Sequence, residues 1–146
     1  DNSQSMLAHA KQQATNKSID YTFINSSVQE LTLKDHSIDD CIATFLFNTI
    51  PNPEIPKCLD KIAKILTPSG RLRCVIPVKS PHFIMKWIQR LTFPINRALY
   101  NVQHDCKLET MINDHPSLVI TAKKHLNKSM SILLLEGQVS SDSYDT

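Results

Sequence analysis

The chain has 146 residues, of which 41% are hydrophobic and 21% charged, with a formal net charge of +2. That length suits one domain whose core needs no disulfide staples. Its two glycines, Gly70 and Gly137, exclude a GxGxxG or GxxxxGK phosphate cradle, because those turns need several residues without a Cβ, and no apolar run approaches the roughly 18 residues of a membrane span.

In chain order, the sequence opens on DNSQSMLAHAKQQA. An acid placed before a helix and after a strand is where nucleoside-binding α/β folds hold a ribose through its two hydroxyls. Here that acid is Asp1, with no glycine-rich turn ahead of it and no initiator Met, so a front part is expected to be missing. The alternative is that Asp1 only favours the helix N-terminus. Ser3 is a good N-cap, and Met6, Leu7, Ala10 and Ala14 recur at helical spacing until TNKS. Residues 21–24, YTFI, read as a short strand, and LTLKDHS as a turn. Residues 41–47, CIATFLF, are a nearly unbroken apolar run, which suits a parallel strand buried on both faces.

Asn52, Pro53 and Glu54 mark a helix start, since Asn caps, Pro tolerates the first position and Glu meets the positive helix end. Ile55, Leu59, Ile62 and Leu66 form its apolar stripe, stopped by TPSG at 67–70. Residues 71–77 return as a strand. Residues 82–93 and 95–100 read as helices broken at Pro94. Residues 118–122 and 130–136 read as two late strands that pair antiparallel. The polar end, 140–146, is expected to be a disordered tail behind a domain of residues 1–139.

Charge is segregated. Residues 1–56 hold three basic against seven acidic side chains, residues 57–97 nine against one, and the remainder four against six. A basic middle can steer an anionic ligand or form a solvated helix face. Cys41, Cys58, Cys74 and Cys106 are spaced by 17, 16 and 32 residues, matching neither a CxxC knuckle nor a redox pair. They are expected as free thiols in a reducing, cytoplasmic setting. His9, His36, His82, His115 and His125 show no ligand spacing, and no metal is implied.

The order DxSxxMLxxA, FINSSVQEL, SIDDCIATFLFNTIPNPE and LDKIAKILTPSGRL resembles the class I S-adenosylmethionine-dependent methyltransferases, especially the type 11 branch. The resemblance covers residues 1–78 well and 79–139 loosely. It implies an α/β, Rossmann-like sheet with helices on both faces, mostly parallel with an antiparallel last strand. The first strand, glycine-rich turn and second strand would lie ahead of Asp1, and their loss would leave 21–24 without a neighbour and 41–47 with an exposed edge. It also implies S-adenosyl-L-methionine as cofactor. Asp1 matches the acid that binds its ribose. Ser27 and Val28 match the place beside the adenine where the family often has Asp and a small apolar residue, so a neutral hydroxyl stands where a carboxylate is usual. Thr44, Phe45 and Leu46 match the end of the fourth strand, near the methionine portion; plain core is the other reading of Phe45. His104, in NVQHDCKLET, is the candidate base, against the reading of a surface histidine. Without its front part, the fragment is expected not to bind the cofactor appreciably.

In PHFIMKWIQRLTFPINRALY, Phe83, Ile84, Trp87, Ile88 and Leu91 share one helical face while Lys86 and Arg90 share another. A basic amphipathic helix with Trp can lie in a lipid interface or simply cover a sheet. Some members of the family methylate phospholipid head groups or other lipophilic molecules, so a small lipophilic or lipid-like acceptor is expected, with peripheral contact at an intracellular membrane through 82–93. A non-catalytic scaffold is the alternative function. A nucleic-acid partner is disfavoured, because no aromatic stacking platform accompanies the basic residues.

Overall fold

The computed structural model describes residues 1–14, 20–77, 107–127 and 132–139. These fall into two compact units, Asp1–Leu33 and the residues from Lys34 onward. The expected helices over 82–93 and 95–100 and the tail at 140–146 lie outside the described residues.

In the first unit, α1 spans Gln4–Ala14. Ser3 starts it as expected, its Oγ accepting the Met6 amide proton at 3.4 Å. The helix buries none of its residues, and Met6 is 58% exposed. Residues 21–24 run extended but join no ladder. A strand needs a partner over several residues, and here two backbone contacts with Asp1 hold the end of the segment. The Asp1 ammonium donates to Ile24 O at 3.3 Å, and Ser26 N donates to Asp1 O at 3.2 Å. That bracketing of one residue by two is the pattern of a single parallel bridge. Lys11 Nζ stands 5.8 Å from the Phe23 ring centroid, and Tyr21 stacks on Phe23 at 6.0 Å.

The second unit is built on a four-stranded sheet of order β1-β2-β4-β3. Strand β1 is Ile38–Thr44, β2 is Leu66–Pro77, β3 is Leu118–Asn127 and β4 is Ile132–Val139. β1 and β2 are parallel, joined through α2, Ile55–Ile65. β4 is antiparallel to both β2 and β3. The late pair was expected, though both strands run longer than their apolar runs.

Helix α2 follows a 3-10 turn, Asn52–Glu54, and neither start carries a side-chain cap; Glu54, not Asn52, holds the N-cap position of α2. The helix buries Ile55, Cys58, Leu59, Ile62, Ala63 and Ile65. Each fully buried Leu or Ile contributes about 1.5–3 kcal/mol relative to exposure. Leu66, expected as the last residue of that stripe, belongs to β2 and is fully buried there. A short helix, α3 (Leu108–Asn113), was not expected. Its Ile112 packs toward Gly137 of β4, and α3 touches α2, so both helices share the sheet face formed by Leu72, Cys74 and Ile76.

β1 corrects two expectations. It starts three residues earlier than the apolar run and stops at Thr44, because Phe45 turns to a left-handed φ of 55°. Nor is it buried on both faces. It forms an edge of the described sheet, with Asp40, Ile42 and Thr44 exposed and Ala43 buried. The opposite face from the helices carries an ion ladder. Asp40 meets Arg71 at 3.1 Å and Arg73 at 3.2 Å, and Arg73 meets Glu136 at 3.3 Å. Between Ile38↔Leu66 and Asp40↔Arg71, four residues of β2 stand opposite one of β1. TPSG therefore forms a bulge inside the strand rather than a loop before it. Gly70 is required there, since a Cβ would lie 2.8 Å from Thr67 O.

Candidate functional site

In a parallel α/β sheet the carboxyl ends of the strands are where loops carry polar groups to a ligand. At that end of β1 and β2, the chain reverses sharply. Phe45 donates its amide proton to Val75 O at 2.8 Å, which keeps it beside β2 although its dihedrals have left the β region. A left-handed bulky residue costs about 1–3 kcal/mol and persists only where its surroundings over-determine it. The next turn closes on Leu46 O, which accepts from Thr49 N at 3.0 Å and from Thr49 Oγ1 at 2.7 Å.

The result is a sorted set of side chains. Thr44 and Phe45 face outward, Phe45 being 41% exposed, whereas Phe47 and Asn48 point into the protein, at 0% and 4%. Core packing, the other reading of Phe45, falls instead to Phe47. Asn48 Oδ1 is buried with no hydrogen-bond partner among the described residues. Such an acceptor costs about 1–3 kcal/mol in lost hydration. Asn48 is a residue that sequence reasoning missed, and no pattern in FLFNTI distinguishes it from a solvent-facing turn residue.

In the first unit, Asp1 is exposed and its Oδ1 accepts the Ser3 amide proton at 2.8 Å. That bond fixes the residue ahead of the helix, whose own amide at Met6 is taken by Ser3 Oγ. A carboxylate has about four acceptor directions, so one such bond leaves room for a pair of hydroxyls. The backbone contacts between Asp1 and Ser26 bring the end of 21–26, and hence Ser27 and Val28, next to Asp1.

Ser27 is not idle. Its hydroxyl donates to Glu30 Oε2 at 3.0 Å and accepts from Glu30 N at 3.3 Å. Both bonds of this Ser-x-x-Glu pair run through the Ser27 hydroxyl, and they brace the turn in which Leu31 N donates to Val28 O. Glu30 was also missed, though the spacing that reveals it is legible in SSVQE. One Ser27 lone pair remains, enough for a single exocyclic amine. Val28 is half-buried. His104 lies outside the described residues.

Cys41, Cys58 and Cys74 are unbridged. Burial pushes the Cys41 thiol up, and burial together with the Glu54 carboxylate pushes Cys58 up. No cluster of three metal-ligating side chains occurs among the described residues. No helix among them is long and apolar enough to cross a membrane.

A parallel strand–helix–strand unit with an antiparallel strand inserted beyond it defines an open, Rossmann-like α/β fold of the methyltransferase kind. Comparison with known proteins agrees. Residues 1–70 match the family model described as a methyltransferase domain. A protein of Pyrococcus horikoshii superposes with a TM-score of 0.72 at 15% identity, over 96% of this chain and 69% of its own. A SAM-dependent methyltransferase of Methanosarcina mazei gives 0.67 at 14% identity, over 94% and 79%. A SAM-dependent methyltransferase of Thermotoga maritima, described as a possible histamine N-methyltransferase, gives 0.66 at 14%, over 96% and 72%. No curated protein matches the chain in sequence. Residues 1–70 thus resemble a methyltransferase domain, and the fold is one that SAM-dependent methyltransferases of known structure share.

Proposed function

We propose that these residues form the larger part of an enzyme that methylates a small, lipophilic or lipid-like acceptor, and that by themselves they are inactive. The observation that supports the site most directly is the turn after β1, which holds Phe45 outward in a left-handed conformation at the carboxyl edge of the sheet. The inactivity is argued from content. Gly70 fills a bulge and Gly137 a strand, so neither forms a strand-to-helix turn where backbone can approach a ligand.

The cofactor, when bound, supplies an activated methyl on a positively charged sulfur. What this chain's residues do is place things. Asp1 would accept hydrogen bonds from the ribose hydroxyls, Ser27 and Val28 would border the adenine, and Thr44 and Phe45 would line the methionine portion. In-line alignment then supplies much of the acceleration, with His104 taking a proton where the acceptor must lose one. The lipophilic character of the acceptor rests on the spacing of Phe83, Ile84, Trp87, Ile88 and Leu91 in the sequence, and we read residues 82–93 as touching acceptor or membrane at an intracellular, cytoplasmic location. Flotation with liposomes, undiminished in Trp87→Ala, would remove the membrane part.

Calorimetric titration of S-adenosylmethionine tests the rest. The 146-residue chain is expected to show no micromolar binding, and the intact parent to show it. In the parent, Asp1→Ala is expected to weaken binding at least tenfold. Unchanged affinity in that variant would overturn the ribose assignment. A non-catalytic scaffold is the second reading, favoured by the commitment of Ser27 to Glu30, and it predicts no binding by the parent.

A further inference from the structure

In the first unit, two polar side chains stand where a ligand can reach them. Glu30 is exposed and Ser27 half-buried, and the backbone contacts of Asp1 with Ile24 and Ser26 hold Ser27 next to exposed Asp1. A serine hydroxyl left to itself rotates, donating or accepting as its neighbour requires. Ser27 has lost that choice. Its proton points at Glu30 Oε2, 3.0 Å away, and one lone pair takes the Glu30 amide proton at 3.3 Å. What it still offers a ligand is a single acceptor direction. Donating to a carboxylate also makes that oxygen a stronger acceptor, because hydrogen bonds in sequence polarise one another.

We propose that Glu30 is a positioning residue for base recognition: by holding the Ser27 proton it makes that hydroxyl an acceptor only, so that the site takes a purine with an exocyclic amine and turns away one with a keto oxygen. This rests on the reading above that sets the adenine against Ser27 and Val28. A keto oxygen there meets a lone pair with no proton between the two, and both stay unsatisfied. A free hydroxyl would simply turn and donate to it. Glu30 acts through Ser27 and touches no ligand itself. It gives a neutral side chain the selectivity that a carboxylate at position 27 would have by charge.

The test titrates the 146-residue chain with adenosine and inosine at millimolar concentration and follows the amide NMR signals of Ser27, Glu30 and Ser3, the last of which reports on Asp1 through its bond to Oδ1. Adenosine is expected to shift these signals and to bind about threefold tighter than inosine, the worth of one exposed hydrogen bond. In Glu30→Ala the Ser27 proton is released, and in Glu30→Gln the amide can donate as well as accept, so in both variants the preference is expected to vanish. Ser27→Asp added to Glu30→Ala is expected to restore it, because a carboxylate accepts only. A Glu30 that merely braced the turn would weaken both nucleosides alike and leave their ratio as in wild type, and that result would overturn the proposal. Equal binding of the two nucleosides by the wild type, with Ser27 still shifting, would also overturn it while leaving the adenine reading in place. If neither nucleoside shifts these signals, the adenine reading falls and the role of Glu30 with it.

Discussion

His115 ties the turn before β3 to α2: its Nε2 lies 3.1 Å from Asp60 Oδ1 while its Nδ1 accepts the Ser117 amide proton at 3.1 Å. Because Nδ1 is the acceptor, Nε2 carries the proton and donates to the carboxylate. The His115 side chain is 6% exposed and that of Asp60 69%, so the two ends of the contact differ in worth. His115→Ala strands the Ser117 amide and opens a buried gap, and is expected to cost about 1–3 kcal/mol in urea unfolding. Asp60→Ala is expected to cost under about 1 kcal/mol, as for other exposed pairs.

Gly70 and Gly137 make a matched pair. A Cβ at Gly70 would meet Thr67 O at 2.8 Å and Thr67 N at 2.9 Å, both backbone atoms, whereas one at Gly137 would meet Val119 O at 3.6 Å and Ile112 Cγ2 at 3.9 Å. Gly70→Ala must shift the bulge and is expected to destabilise by about 1–3 kcal/mol. Gly137→Ala is expected to lie within about 0.5 kcal/mol of wild type, by the same unfolding measurement.

The ladder Asp40–Arg71–Arg73–Glu136 crosses three strands, yet its side chains remain 30–53% exposed. Asp40→Ala removes both arginine partners and is expected to cost under about 1 kcal/mol at low salt. The loss should shrink further at 1 M NaCl, where the screening length falls to about 3 Å. A loss that ignores salt would mean that Asp40 acts through packing.

Cys41 and Cys58 carry thiols pushed up by burial, for Cys58 with the Glu54 carboxylate adding to it. In the unfolded chain the same thiols ionise near pH 8.5. Between those two values the unfolded state has lost protons that the folded state retains, so stability present below about pH 8.5 declines as pH rises above it. Unfolding free energy is expected to fall from pH 8 to 10, and less steeply in Cys58→Ala. In the native protein at pH 8, a thiol reagent should modify half-buried Cys41 before the fully buried Cys58 and Cys74.

Particular residues show how far local pattern reaches. The stripe of Ile55, Leu59 and Ile62 specifies α2 because side chains three or four apart share a helix face whatever lies opposite. Ser3 starts α1 by a bond within three residues of itself. The late strands are legible for the same local reason, since they are close in sequence and apolar. CIATFLF misleads about its ends and its burial. Its apolar run says that it belongs in a sheet, but Phe45 leaves the β region where the chain meets Val75 O, thirty residues away.

The amino-acid sequence by itself therefore determined the class of fold and the positions of α1, α2 and the β-strands of the second unit to within several residues, because each depends on spacing along one stretch. Tertiary structure alone decided where β1 starts and stops, that TPSG is a bulge opposite Asp39, and that Asn48 buries an unanswered oxygen. Those outcomes depend on register and on which backbone meets which across 20–70 residues of chain, a range set by roughly equal alternatives that differ only once the whole sheet is assembled.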